Sequence, residues 1–98
     1  MNWESRLAAY CGKMMEVIIE DYAGSDPLAP TSSRQLHHVR LVDERTHLQF
    51  YFTEVQFLAI PVFEDDRTRL EESEAGAVFI SNDDNAKLIY KMRFSSRE

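Results

Sequence analysis

A chain of 98 residues, 44% hydrophobic and 29% charged, has room for one domain spanning 1–98, and its composition excludes wholesale disorder. A formal net charge of −6 disfavours nucleic acid or anionic lipid as a partner, and Cys11, the one cysteine, permits no intrachain disulfide. No run approaches the roughly 18 apolar residues of a membrane span, and Glu4 and Arg6 interrupt the first segment, so a cytoplasmic setting without membrane attachment is expected.

Residues 3–22 carry Trp3, Leu7, Tyr10, Cys11, Met14, Ile18 and Tyr22 at steps of three and four. That period predicts an amphipathic helix with Cys11 on its buried face, and Gly24, Pro27 and Pro30 end it. Residues 23–35 read as a turn-rich connecting loop. Residues 36–54 read as a hairpin of strands 36–43 and 47–54. Pairing Leu41 with Leu48 and Val39 with Phe50 puts these residues and Phe52 on one face, and a one-residue slip would scatter them.

Residues 55–63, VQFLAIPVF, predict an apolar strand covered on both faces, at a sheet edge because Pro61 cannot donate to a ladder. Residues 64–76 carry six acids against Arg67 and Arg69, a net −4, and read as an exposed acidic segment with a short helix capped by Asp66 and ended by Gly76. Residues 77–94 form a second predicted hairpin around Asn82–Asn85. Ala77, Phe79, Leu88, Tyr90, Met92 and Phe94 share one face, and Val78, Ile80 and Ile89 the other. The order α-β-β-β-short α-β-β predicts an α+β fold, with the N-terminal helix packed on an antiparallel sheet of about five strands.

The chemistry-bearing residues do not assemble into a catalytic motif. His37 and His38 are adjacent on a predicted strand and point to opposite faces, and His47 falls roughly 13 Å along the strand from His38, so no metal is expected. Gly12, Gly24 and Gly76 are isolated and form no phosphate loop, and no cofactor is implied. Lys87, Lys91 and Arg93 read as a solvated basic row on an edge strand.

A domain of this size buries only roughly 60–65% of its unfolded surface, so a partner that covers apolar area is a natural expectation. The leading reading is a non-catalytic protein-binding module: an adaptor, inhibitor, immunity-type protein or small chaperone. Its candidate surface combines Glu64, Asp65, Asp66, Glu71, Glu72 and Glu74 with Val55, Phe57, Ile60 and Phe63, the acids steering a basic protein partner. Two alternatives stand beside it. One is a small-molecule binder or enzyme with a pocket between helix and sheet. The other is a structural homodimer formed through an edge strand.

Overall fold

The computed structural model describes residues 3–21, 32–42, 44 and 46–95. The chain is mostly sheet. A short helix α1 (Trp3–Leu7) runs into a 3-10 turn (Ala8–Tyr10), and eight strands follow: β1 (Met14–Asp21), β2 (Ser32–Gln35), β3 (His38–Val42), β4 (His47–Tyr51), β5 (Phe57–Pro61), β6 (Thr68–Ser73), β7 (Gly76–Asp83) and β8 (Leu88–Ser95). They form two antiparallel sheets, a five-stranded one in the order β2-β1-β8-β7-β6 and a three-stranded one in the order β3-β4-β5. The fold is broadly α+β, with two sheets where the sequence pattern predicts one.

The largest departure from the sequence expectation is at 3–22. Helix continues only to Leu7, and residues 14–21 are strand. Two local features decide it. Gly12 adopts φ +90°, a conformation that breaks a helix and suits glycine. Beyond it, Met15, Val17 and Ile19 turn into the core while Glu16 and Glu20 ion-pair with Arg93 and Lys91 of the neighbouring β8. The β-branched run Val17-Ile18-Ile19 fits that pleat better than a helix. The expected loop at 23–35 is likewise corrected: residues 32–35 form β2, paired with β1 from Met14↔Gln35 to Val17↔Ser32. Residues 22–31 lie outside the described residues.

Both hairpins take the registers that their apolar patterns select. Leu41 faces Leu48 and Val39 faces Phe50, while Ala77 faces Phe94 and Phe79 faces Met92. One core results. Met15, Val17, Ala77, Phe79, Met92 and Phe94 from the larger sheet meet Leu48, Phe50 and Ile60 from the smaller, with Trp3 and Leu7 of α1 filling the end. Phe50 and Phe79 bring their ring centroids to 5.3 Å across the two layers, and Trp3 meets Phe79 edge-on at 5.3 Å.

Two further expectations are corrected. The strand within 55–63 is covered on one face only: Ile60 is buried and Leu58 packs on the core, whereas Phe57 and Ala59 are exposed. Its edge position is as its proline suggests. The acidic segment contains no helix. Residues 64–67 are turn, and Thr68–Ser73 is the edge strand β6, held by β7 from Thr68↔Ser81 to Ser73↔Gly76. Alternation places Thr68 and Leu70 inward and Arg69 and Glu71 outward, a period-2 pattern that a helix would scramble.

A buried polar relay ties the smaller sheet to the larger. Ser81 Oγ donates to the Pro61 carbonyl (2.6 Å), so its partner at 3.0 Å, the Thr68 hydroxyl, is the donor of that bond. Thr68 Oγ1 in turn accepts from the Phe63 amide at 2.9 Å. Ser81→Ala orphans the Pro61 carbonyl and the Thr68 proton and is expected to cost about 1–3 kcal/mol in urea unfolding. Gly12→Ala, which would gain about 1 kcal/mol in a helix interior, is expected instead to lose about 1–2 kcal/mol because of the left-handed backbone. A gain measured by the same denaturation would contradict the turn at Gly12.

Candidate interaction surface

The outer face of the three-stranded sheet is assembled in rows by register. His38, Tyr51 and Phe57 lie side by side, then Arg40, Gln49 and Ala59, then Val42, His47 and Pro61. The first row is aromatic. His38 stacks on Tyr51 at 4.0 Å with 16° between the planes, and Tyr51 packs against Phe57 at 5.0 Å. The Tyr51 hydroxyl donates to Gln49 Oε1 at 2.9 Å, which fixes the ring. None of these nine positions carries a carboxylate, in a chain with 17 aspartates and glutamates.

The apolar part of the surface continues past β4. Thr53 Oγ1 accepts from the amides of Val55 (3.2 Å) and Gln56 (3.0 Å), and the resulting turn holds Val55 outward at 79% exposure beside Phe57 at 43%. A shallow groove lined by Arg34, Phe52, Val55, Gln56 and Phe57 lies next to it, with the Arg34 guanidinium 5.6 Å from the Phe52 ring centre.

The backbone of β5 adds donors to this surface. The Phe52 amide bonds the Gln56 carbonyl and the Val62 amide bonds the Thr46 carbonyl, each at 2.9 Å. That phase turns the amides of Leu58 and Ile60 toward β4 and those of Phe57 and Ala59 toward the open edge. The opposite edge of the same sheet is treated differently. The Leu41 amide, pointing away from β4, is taken by Glu4 Oε2 of α1 at 3.2 Å.

The ten residues singled out in the sequence do not form one patch. Val55 and Phe57 belong to the surface above. Ile60 is fully buried and is withdrawn from it. Phe63 is half-buried beneath the Arg67 guanidinium, 4.0 Å from its ring centre. Asp65 is pinned by Arg67, whose bonds to it hold its carboxyl below the usual range, and Arg67 also reaches Asp84 at 3.0 Å. Glu64 and Asp66 are exposed in the same turn. Glu71 pairs with Arg69 (2.8 Å), Glu72 accepts from the Tyr10 hydroxyl (2.8 Å), and Glu74 is exposed in the turn after β6. Burial first, and then Glu72, pushes the Tyr10 phenol up.

Sequence reasoning missed His38, Arg40, Gln49 and Tyr51 as a face, although the polar alternates His47, Gln49 and Tyr51 were there to be read once the register was set. It also separated His37 from His38. β3 begins at His38, so His37 escapes the strand's alternation and the two Nδ1 atoms meet at 2.7 Å. His47 lies with Thr46 (2.9 Å), and no metal-binding group of three or more His, Cys, Asp or Glu occurs among the described residues. The basic row is corrected too, because β8 is an interior strand where Lys91 and Arg93 are ion-paired. No helix among the described residues is long and apolar enough to cross a membrane.

Cys11 is exposed in the turn after the 3-10 segment, not in the core, because the helix that would have buried it ends four residues earlier. Partial burial still pushes its thiol up. A disulfide reagent is therefore expected to label it stoichiometrically with the fold intact. The rate at pH 7 should be below that of a free thiol and rise with pH as thiolate forms. Labelling only on unfolding would contradict the exposed placement.

Comparison with protein-family models, with curated proteins and with solved structures found no match for this chain.

Proposed function

We propose that the chain is a non-catalytic protein-binding module that takes an extended segment of its partner along the open edge of β5. The observation that carries this reading is the combination, at one place, of outward-turned backbone amides at Phe57 and Ala59 with the exposed side chains of Val55 and Phe57. Main-chain bonds to such an edge supply affinity, and the side chains on either face supply selectivity. The neighbouring face has the make-up of an interface core: Tyr, Phe and Arg are present, and Lys, Asp and Glu are absent from its nine positions. The acids of 64–74 lie along the edge of the other sheet and in the turn leading to it, so their part is long-range steering of a partner with basic flanks.

The test is comparative capture from native lysate with the wild-type chain and Phe57→Glu, followed by amide hydrogen exchange on the recovered complex. The expected outcome is a partner lost with the variant at unchanged unfolding midpoint, and slowed exchange at Phe57 and Ala59 in the complex. A partner retained by Phe57→Glu, with those two amides exchanging as before, would refute the edge-strand reading.

A further inference from the structure

We propose that the cavity between α1 and the turn joining β5 to β6 is a binding site for a small ligand with an apolar body and a cationic head. The cavity measures about 440 Å³, and its walls are Trp3, Leu41, Val62 and Phe63, with Thr68 on one side and Glu64 and Asp65 at the rim. That volume lies within the roughly 300–1,000 Å³ of small-molecule sites. It is separate from the outer face of the smaller sheet and does not rest on the protein-binding reading.

The polar groups around the cavity decide the sign of the ligand. Four of the seven lining residues have their amides bonded: Leu41 to Glu4 Oε2, Val62 to the Thr46 carbonyl, Phe63 to Thr68 Oγ1, and Thr68 to the Asp65 carbonyl. The Thr68 hydroxyl proton is taken by Ser81, whose own proton goes to Pro61. What the rim offers is carboxylate oxygen. Of the two rim carboxylates, Asp65 already receives the Arg67 amide and guanidinium, which leaves Glu64 as the group for an incoming cation.

Charge points the same way. Among the described residues, the carboxylates of Glu4, Glu64, Asp65 and Asp84 lie on or are bonded to the lining residues or Arg67, against the guanidiniums of Arg6 over Trp3 (4.9 Å) and Arg67 over Phe63 (4.0 Å). An anionic ligand would meet excess negative charge at the rim and bonded amides at Leu41, Val62, Phe63 and Thr68. A cationic one would have Glu64 for its head and apolar walls for its body.

Trp3 is the only tryptophan, so its emission reports on the site. The experiment titrates the intact chain with phenethylammonium and with 3-phenylpropionate, two probes of similar size and opposite charge. In parallel, amide chemical shifts of the isotope-labelled chain are followed. The expected result is a saturable change in Trp3 emission with the amine, affinity for the acid at least about tenfold weaker, and shifts centred on Val62, Phe63 and Thr68. Glu64→Gln should weaken the amine about two- to fivefold, as expected for an exposed ion pair, without moving the unfolding midpoint. Absence of saturable binding of the amine by both readouts, equal affinity for the two probes, or shifts centred on β3–β5 outer-face residues would each overturn the assignment.

Discussion

The two sheets of this protein share a core, and the Phe63 amide, Thr68 hydroxyl, Ser81 hydroxyl and Pro61 carbonyl form the polar tie between them. The relay runs in one direction and every member has its partner, the condition under which a buried polar network stabilises its surroundings. It clamps the chain on both sides of Val62, just where β5 hands over to the turn before β6. Three features follow from that clamp. β5 is anchored at its proline end while its Phe57 end stays open. The turn 64–67 is held against Asn82, whose amide bonds the Arg67 carbonyl at 2.7 Å. The space between that turn and α1 remains as a cavity lined by Thr68 itself.

The charged residues arrange themselves around this frame without carrying it. On the outer face of the five-stranded sheet Glu16–Arg93, Glu20–Lys91 and Arg69–Glu71 are ion-paired at 2.8–3.2 Å, all with some exposure. Such pairs contribute little each, about 0–1 kcal/mol. The stability of the domain therefore resides in the two-sided core, where Phe50, Phe79 and Phe94 are fully buried. The pairs instead settle which face of the larger sheet is wet, which leaves the carboxylate-free face of the smaller sheet as the distinct one.

How much of this was legible in the sequence depended on whether a segment's pattern had one solution or two. The hairpins had one: shifting Phe50 and Phe52 by a residue exposes them, so Leu41↔Leu48 was forced. Residues 3–22 had two. Leu7, Tyr10, Met14 and Ile18 satisfy a helical step, and Met15, Val17 and Ile19 satisfy alternation. The choice was made by tertiary context, because β1 sits between β2 and β8 and the larger sheet needs it there. The placement of Cys11 failed with it. In 64–76 the charge run hid the alternation of Thr68, Leu70 and their exposed neighbours, so an edge strand was read as a turn of helix. Of the candidate surface, Val55 and Phe57 were legible as apolar residues on an edge. Their neighbours Tyr51 and His38 were not, since their significance lies in the row that register creates and not in their local sequence.

The four sheet edges bear on the proposed docking of a partner strand. A sheet edge invites pairing with another chain, and natural sequences blunt it with charge, brevity or cover. β2 spans only Ser32–Gln35 and is polar throughout. β6 carries Arg69, Glu71 and Glu72. β3 is met by α1, and Glu4 occupies its outward amide at Leu41. β5, by contrast, reads Phe57-Leu58-Ala59-Ile60 before its proline, with no charged side chain along it. Pro61 and the Ser81 bond close only its last residue. An unprotected apolar edge is an aggregation hazard that a short charged substitution would remove. Among the described residues it stands beside three protected edges, which supports the proposal that it is open to a specific strand.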